Sequence, residues 1–300
     1  MDGPRPERAL EGVERMSSTA WEFTDDRGSV VRAARRPERV VAYVRAGAAL
    51  HEYGLTPAGI FGSGHDGEQV DPVKAGGLPS DVPYLGAGKT LDEEALGAVA
   101  PELVVDVTYD DHFAYAVDEG VASGLGVPVL ALSVAGGTPL TSLVARFAAL
   151  AEALGAPADP AAGDDLAQAR AAVRTAAART GAPRVLVLSA AGTAQVHLAR
   201  PGTWPELRQL AELGVDLVDP GPGPGLNWLT TDWEYAAGLG ADLVLADARG
   251  NAVPPGDLAG VPGWTRLTSG RPVTPWNPEL APAPRATAHF LRDIAAALTG

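Results

Sequence analysis

The sequence predicts an α/β protein of two sandwich lobes joined by one long, rigid helix. Three observations carry this. Short apolar runs alternate with segments of helical period through both halves, a pattern that implies parallel strands covered by helices. A run from Asp159 to Arg179 keeps helical spacing without a break. After it the pattern restarts at Arg184 with loosely the same element order. The expected division is a disordered N-terminus at 1–19, a first lobe at 20–158, an interlobe helix at 159–181 and a second lobe at 182–300. A chain of 300 residues fits two domains or one large one.

In the first half, residues 1–19 are polar and without period. Trp21 and Phe23, then Val30 and Val31, flank Asp25-Asp26-Arg27-Gly28, which reads as a β-hairpin turn. Arg39 to Val44 is a short apolar strand, followed by a helix from Ala46 to Tyr53 that Gly54 closes. Pro57 to Phe61 is the next strand, then a Gly-rich loop to Pro79, a strand at Pro83 to Leu85 and a helix from Asp92 to Val99. Leu103 to Val107 is a strand, His112 to Leu125 contains a helix, and Val127 to Leu132 is a strand. Leu140 to Leu154 is an amphipathic helix.

Asp159-Pro160 gives the long helix an N-cap and a proline at its first position. Leu166, Ala169, Ala172, Val173 and Ala176 form its apolar face. A helix of about 20 residues rises roughly 30 Å, enough to span two lobes as a strut; an ordinary surface helix would show the same periodicity. In the second half Arg184 to Leu188 is a buried strand and Gln195 to Leu198 a second. Trp204 to Leu213 reads as helix, Val215 to Val218 as strand, and Gly221 to Gly225 as a Pro/Gly loop. Thr231-Asp232-Trp233-Glu234 has capping-box spacing and opens a helix to about Leu239. Asp242 to Ala246, the segment Val261 to Leu267, a strand at Pro272 to Thr274 and a helix from Pro284 to Leu298 complete the chain.

The net charge of −14 argues against a nucleic-acid or anionic-membrane surface, which need clustered Lys and Arg. The absence of cysteine excludes disulfides, cysteine-ligated zinc, a thiol nucleophile and a lipid-modified cysteine. No stretch of about 20 apolar residues occurs, and residues 1–20 lack an apolar signal core. As the sequence stands a cytoplasmic place is expected, or an extracellular one if an export segment precedes it.

Short motifs fail on spacing. Gly86-Ala87-Gly88-Lys89-Thr90 resembles the end of a phosphate loop, but Pro83 stands where the first glycine is required. Ser63 lacks the preceding glycine of a nucleophile elbow, since Phe61 holds that place. His65, Asp66, Glu68 and Asp71 form one loop cluster of metal-capable groups and Asp110-Asp111-His112 another, without the spacing that puts two ligands on one helical face; solvated loop charges are expected, and no metal site.

Open α/β sheets bind ligands beyond the carboxyl ends of their strands. The aromatic and polar residues predicted there are Tyr43, Arg45, Lys89, Tyr109 and Asp110 in the first half. Trp228, Arg249 and Trp276 come from the second. Each could instead be core or solvated surface.

These segments, in this order, resemble the helical-backbone (class III) substrate-binding proteins of ABC importers, a periplasmic-binding-protein-like group that captures ferric siderophores, haem and cobalamin. The pieces are Phe23-Thr24-Asp25-Asp26-Arg27-Gly28 with Pro37-Glu38-Arg39-Val40-Val41, Leu85-Gly86 before Leu91-Asp92-Glu93-Glu94-Ala95-Leu96, Ala100-Pro101-Glu102-Leu103-Val104-Val105, Gly126-Val127-Pro128-Val129, Arg184-Val185-Leu186-Val187-Leu188 and Gly240-Ala241-Asp242-Leu243-Val244. The match runs from about Phe23 to Leu298. It implies two lobes on one rigid helix, a cleft between them and small closure on binding.

Within the group the chain looks most like the hydroxamate-siderophore binders. Asn227-Trp228 and Pro275-Trp276 stand where those place cleft tryptophans, and Tyr109 where they place a tyrosine. Their arginine falls near Gly88, with Lys89 as the adjacent substitute. The resemblance implies binding of a ferric siderophore, hydroxamate type, as the substrate-binding component of an importer. It also implies an acidic docking residue on each lobe, with Glu93 or Glu94 and Glu206 or Glu234 as candidates. The expected partners are a small metal chelate and, after export, an ABC permease. A monomer is expected, with no resident cofactor, iron arriving only within the chelate. The alternative is a cytoplasmic protein that holds or processes a secondary metabolite in the same cleft, with Asp110, Asp111 or His112 as acid-base groups if it is an enzyme.

Overall fold

The computed structural model describes residues 20–91 and 93–300. The segment 1–19, expected to be disordered, and Asp92, expected to open a helix, lie outside the described residues.

The chain begins with an antiparallel hairpin, β1 (Trp21–Thr24) and β2 (Val30–Ala33). Its turn is held by the buried Asp25 carboxylate, which accepts from the backbone N–H of Arg27 at 3.0 Å and of Ser29 at 2.9 Å. The same turn docks the hairpin on the first sheet: Asp25 and Asp26 accept from the N–H of Ala131 and Ser133 at 3.2 and 2.8 Å.

The first sheet contains β3 (Val40–Tyr43), β4 (Gly59–Gly62), β5 (Tyr84–Ala87), β6 (Leu103–Thr108) and β7 (Val129–Ser133). Their order is β5-β4-β3-β6-β7, every pair parallel. Strands β3 and β6 are buried throughout, so β3 reads as an unbroken apolar run and β6 as one broken by Asp106, whose buried carboxylate accepts from the N–H of Ala116 and Val117 at 2.9 and 2.8 Å. Around the sheet lie α1 (Val44–Glu52), α2 (Pro72–Ala75), α3 (Glu93–Ala98), α4 (Glu119–Gly124) and α5 (Leu140–Ala153). The helix expected near His112 to Leu125 is confined to α4, because Asp118 caps it and the residues before it form a tight loop. The Gly-rich loop gains the short α2, capped by Asp71.

Helix α6 (Pro160–Ala177) follows, its N-terminus capped by Asp159, whose carboxylate accepts from Ala162 N–H at 3.3 Å. The small residues Ala169 and Ala176, with Val173, let it lie close on α10 (Pro284–Ala297) and join the core of the second sheet. Ion pairs of Asp159 with Arg285 and Asp165 with Arg292 fasten the two helices at their margin.

The second sheet runs β10-β9-β8-β11-β12. Strands β8 (Val185–Ala190), β11 (Leu243–Asp247) and β12 (Val273–Trp276) are parallel, while β9 (Val196–Ala199) and β10 (Trp228–Thr231) are added antiparallel. Its remaining helices are α7 (Pro205–Glu212), α8 (Trp233–Gly238) and α9 (Pro262–Thr268). Two expectations are corrected. Thr231 ends β10 rather than capping a helix; the cap of α8 is Asp232, which accepts from Tyr235 N–H at 2.8 Å. The run Val215 to Val218 makes only the bridge Val185 to Leu217, because the backbone there touches the edge of β8 and turns away. Among the described residues no helix is long and apolar enough to cross a membrane.

Candidate functional site between the two sheets

Each sheet has a place where the chain reverses its direction of strand addition, between β3 and β6 in the first and between β8 and β11 in the second. Ligand crevices of open α/β sheets form at such points. Here both groups of strand ends contribute to one cavity of about 460 Å³. The first sheet's side supplies His65, Tyr109 and Tyr115; the second supplies Ser189, His197, Trp204, Asn227, Trp228, Arg249, Asn251 and Glu279.

The walls are aromatic. Trp204 and Trp228 meet edge to face with ring centres 4.9 Å apart, and both pack on Trp276 at 5.4 and 5.8 Å. Opposite, Tyr109 and Tyr115 are 4.8 Å apart and Tyr115 leans on Tyr43 at 5.7 Å. Tilted and edge-to-face pairs of this kind are the favoured arrangement for quadrupolar rings. They hold the exposed faces of Trp228 and Tyr109 in fixed orientations.

The floor is ionic. Arg249 forms a paired contact with Asp247, Nη2 to Oδ2 at 2.8 Å and Nε to Oδ1 at 3.0 Å, and its Nη1 donates to Glu279 at 2.8 Å. Ser189 donates its hydroxyl to Asp247 at 2.8 Å, fixing that carboxylate in turn. Nη1 and Nη2 each carry two N–H bonds, so each keeps one beyond these carboxylates. Burial alone would lower the Arg249 pKa, but Asp247 and Glu279 outweigh it and raise the value, so the guanidinium stays charged. Glu279 also meets Lys74 Nζ at 2.8 Å and accepts the Tyr43 hydroxyl. Burial pushes its carboxyl up, yet Lys74, Tyr43 and Arg249 together hold it down at about 2. Lys74 itself bridges to Asp66 at 2.9 Å. The result is a chain of alternating charge that crosses from one sheet to the other.

The expected site residues separate into three groups. Tyr109, Trp228 and Arg249 line the cavity. Tyr43, Arg45 and Trp276 are buried one layer behind it: Tyr43 holds Glu279, Arg45 donates to Leu280 O at 3.0 Å and to the Tyr109 hydroxyl at 3.4 Å, and Trp276, 1 % exposed, backs the tryptophan wall. Lys89 and Asp110 are elsewhere. The Lys89 amine donates to Val117 O at 3.1 Å, and Asp110 spends its carboxylate on the N–H groups of His112 and Phe113. Asp111 and His112 do not line the cavity either. Gly88, beside Lys89, is a packing glycine, since a Cβ there would stand 2.4 Å from Ala116 O.

Of the acidic docking candidates, Glu93, Glu94 and Glu234 are exposed, Glu234 paired with Arg266. Glu206 is not: it is 1 % exposed, and both of its carboxylate oxygens lack a hydrogen-bond partner. The buried Trp276 indole N–H approaches it without completing a hydrogen bond. Desolvation pushes the Glu206 carboxyl up to about 7, against the opposing pull of Arg45.

The residues the sequence reading did not single out are Trp204, Tyr115, His197 and Ser189 on the walls, and Asp247, Glu279 and Lys74 in the floor. Asp66, expected to be a solvated loop charge, instead has its side chain buried because it pairs with the buried Lys74, and His65 of the same loop lines the cavity. Asp247 and Glu279 follow the rule that found the others, lying at the end of β11 and in the loop after β12. Among the described residues no group of three or more His, Asp or Glu is placed to hold a metal ion. A second cavity, about 500 Å³, shares no lining residue with the first and lies among α1, α2 and α10, where Glu52 accepts from the N–H of Arg285 and Ala286 at the start of α10.

No protein-family model and no curated protein matches the chain. Solved structures do. A ferric-siderophore receptor protein, DesE from Streptomyces coelicolor, is 28 % identical over 93 % of this chain and 97 % of its own, with a TM-score of 0.81. The siderophore-binding protein FhuD from Vibrio cholerae, solved with Fe3+–Desferal bound, is 18 % identical over 87 % of this chain and 97 % of its own, at a TM-score of 0.62. The periplasmic haem-binding protein RhuT from Roseiflexus is 19 % identical with the same coverages, at 0.61. The two-lobed fold of siderophore- and haem-binding proteins is therefore the fold of this chain, as the resemblance implied.

Proposed function

We propose that this chain, which shares the fold of the helical-backbone class of substrate-binding proteins, captures a ferric siderophore of the hydroxamate type in the cleft between its sheets and delivers it to an importer. The observation that carries the reading is the cavity itself: flat aromatic walls around an arginine that two carboxylates have already neutralised. A ferric hydroxamate is bulky, wrapped in hydrocarbon and weakly charged. Aromatic faces supply contact area for such a ligand, and the free N–H bonds of Arg249 can donate to the oxygens around iron. A trianionic catecholate would need uncompensated positive charge, and Asp247 and Glu279 remove it here. The likeness to DesE, high over nearly the whole of both chains, supports the same reading.

Iron enters this account only as part of the ligand. Glu93 or Glu94 on α3 and Glu234 on α8 present one exposed acidic position per lobe for a permease. The test is a tryptophan-fluorescence titration with ferric hydroxamates, catecholates and haem beside the metal-free chelators. Saturable quenching at micromolar or lower concentration by a ferric hydroxamate is expected; no response to any ferric chelate would overturn the proposal.

A further inference from the structure

Two large apolar side chains stand out in solvent, Phe113 at 70 % and Leu226 at 81 % exposure. Each belongs to a different sheet's side of the cleft. Phe113 lies in the loop between β6 and α4, and the residues flanking it, Tyr109 and Tyr115, both line the cavity. Leu226 immediately precedes Asn227 and Trp228, which line the cavity from the other side. Each is thus carried by a loop that also supplies cavity wall.

Neither loop is free to fold its apolar residue away. In the first, the Asp110 carboxylate accepts from Phe113 N–H at 3.0 Å and His112 N–H at 2.9 Å, the Thr108 hydroxyl accepts from Asp111 N–H at 3.0 Å, and Asp111 is held at φ 60°. In the second, the Arg200 guanidinium donates to three carbonyls of the Pro/Gly loop, Gly221 at 2.7 Å, Gly223 at 3.0 Å and Gly225 at 3.2 Å. Local hydrogen bonds thus pin both loops, and both leave a hydrocarbon side chain facing water. Held this way, both side chains are available to an apolar part of whatever occupies the cavity their loops help to wall.

The cavity holds about 460 Å³. Ligand pockets of roughly 300 to 1,000 Å³ bury about 70–90 % or more of a ligand's surface, so the remainder of a ligand seated here faces the loops around the cavity. We propose that Phe113 and Leu226 form a rim subsite, one side chain from each lobe, that covers the hydrocarbon spacers of the bound chelate; this rests on the ferric-siderophore reading above. The iron shell then sits against Arg249 and the tryptophans, while the rim reads the chain that links the chelating groups.

The probe is the ferric complex of Desferal, a trihydroxamate with aliphatic spacers, titrated into the wild type, Phe113→Ser, Leu226→Ser, the double variant and the apolar replacements Phe113→Leu and Leu226→Met. Both positions are exposed, so all variants should melt as the wild type does. The expected result is a loss of affinity of about tenfold or more in the double Ser variant, with the apolar replacements within about threefold of the wild type. Unchanged affinity in the Ser variants would overturn the rim subsite alone and leave the cleft reading standing. So would equal losses in the Ser and apolar variants, which would trace the effect to loop shape. A wild type that binds no ferric chelate would take both readings down.

Discussion

Lys74 of the first lobe lies 2.8 Å from Glu279 of the second, and both are almost wholly removed from solvent. Each has a further partner on its own side, Asp66 for Lys74 and Arg249 for Glu279, so the contact is the central link of a continuous ionic chain.

Breaking that link is costly, because removing one member leaves the others buried without compensation. Glu279→Gln should destabilise the protein by about 3–5 kcal/mol, the range for opening a buried ion pair. Urea unfolding monitored by circular dichroism measures it. An effect below about 1 kcal/mol would mean that solvent reaches the network.

The same carboxyl sets an acid limit. Its folded value of about 2 lies below the ordinary 4.5, because Lys74, Tyr43 and Arg249 stabilise the charged form more than burial disfavours it. A depressed acid contributes stability that is complete above its unfolded value and is lost as pH falls through the folded one. Stability should therefore decline from about pH 4.5 towards pH 2, and Glu279→Gln should flatten that part of the profile.

Glu206 has the opposite sign. Its folded value is raised from 4.5 to about 7 by desolvation, so the folded state holds the proton more tightly than the unfolded chain does. Stability from this group is greatest below about pH 4.5 and falls as pH rises to about 7. Glu206→Gln should match the wild type in acid and exceed it in stability at pH 8, read from thermal melts at the two pH values.

Trp228 and Trp276 should behave differently although they touch. Trp228 lines the cavity, and its replacement by Ala should weaken ferric-hydroxamate binding by about 1–3 kcal/mol with modest loss of stability. Trp276 is buried behind it, so Trp276→Ala should cost about 3–5 kcal/mol of stability through the space it leaves. Paired binding and unfolding measurements separate the two roles.

Gly88→Ala tests a residue that resembles part of a phosphate loop. Its added Cβ would stand 2.4 Å from the Ala116 carbonyl oxygen, a backbone atom that cannot swing aside. Overpacking of this kind costs about 1–3 kcal/mol. Phosphate at millimolar concentration should leave the melting temperature of the wild type unchanged.

Most of the architecture was legible because buried parallel strands announce themselves: Val40 to Tyr43 and Leu103 to Val105 are continuous apolar runs. The cavity walls at Tyr109, Trp228 and Arg249 followed from one rule, that ligands gather beyond strand ends. The floor did not follow, since Lys74 and Glu279 lie more than two hundred positions apart and only the docking of two sheets makes them partners. Glu206 misled for a related reason. An acidic residue in the first turn of a helix normally faces water and the helix dipole, but α7 turns that position towards Arg45 and Trp276. Trp204 escaped because it reads as the first residue of a helix, whereas it stands just before α7 as its N-cap.

The hydrogen bonds between the lobes do not stop at the ionic chain. Asp71 accepts from Gly250 N–H at 2.8 Å, Asn277 donates to Val73 O at 2.9 Å, and Arg208 donates to the carbonyls of Gly136 and Gly137 at 2.9 and 2.7 Å. Separating the lobes would expose apolar wall and strand Lys74, Glu279 and Tyr43 at the same time. Each half expressed alone would carry an interior surface whose polar groups have lost their counterparts. The two sheets should melt in one cooperative transition, and a break in the backbone between them should yield fragments that become ordered only when they meet.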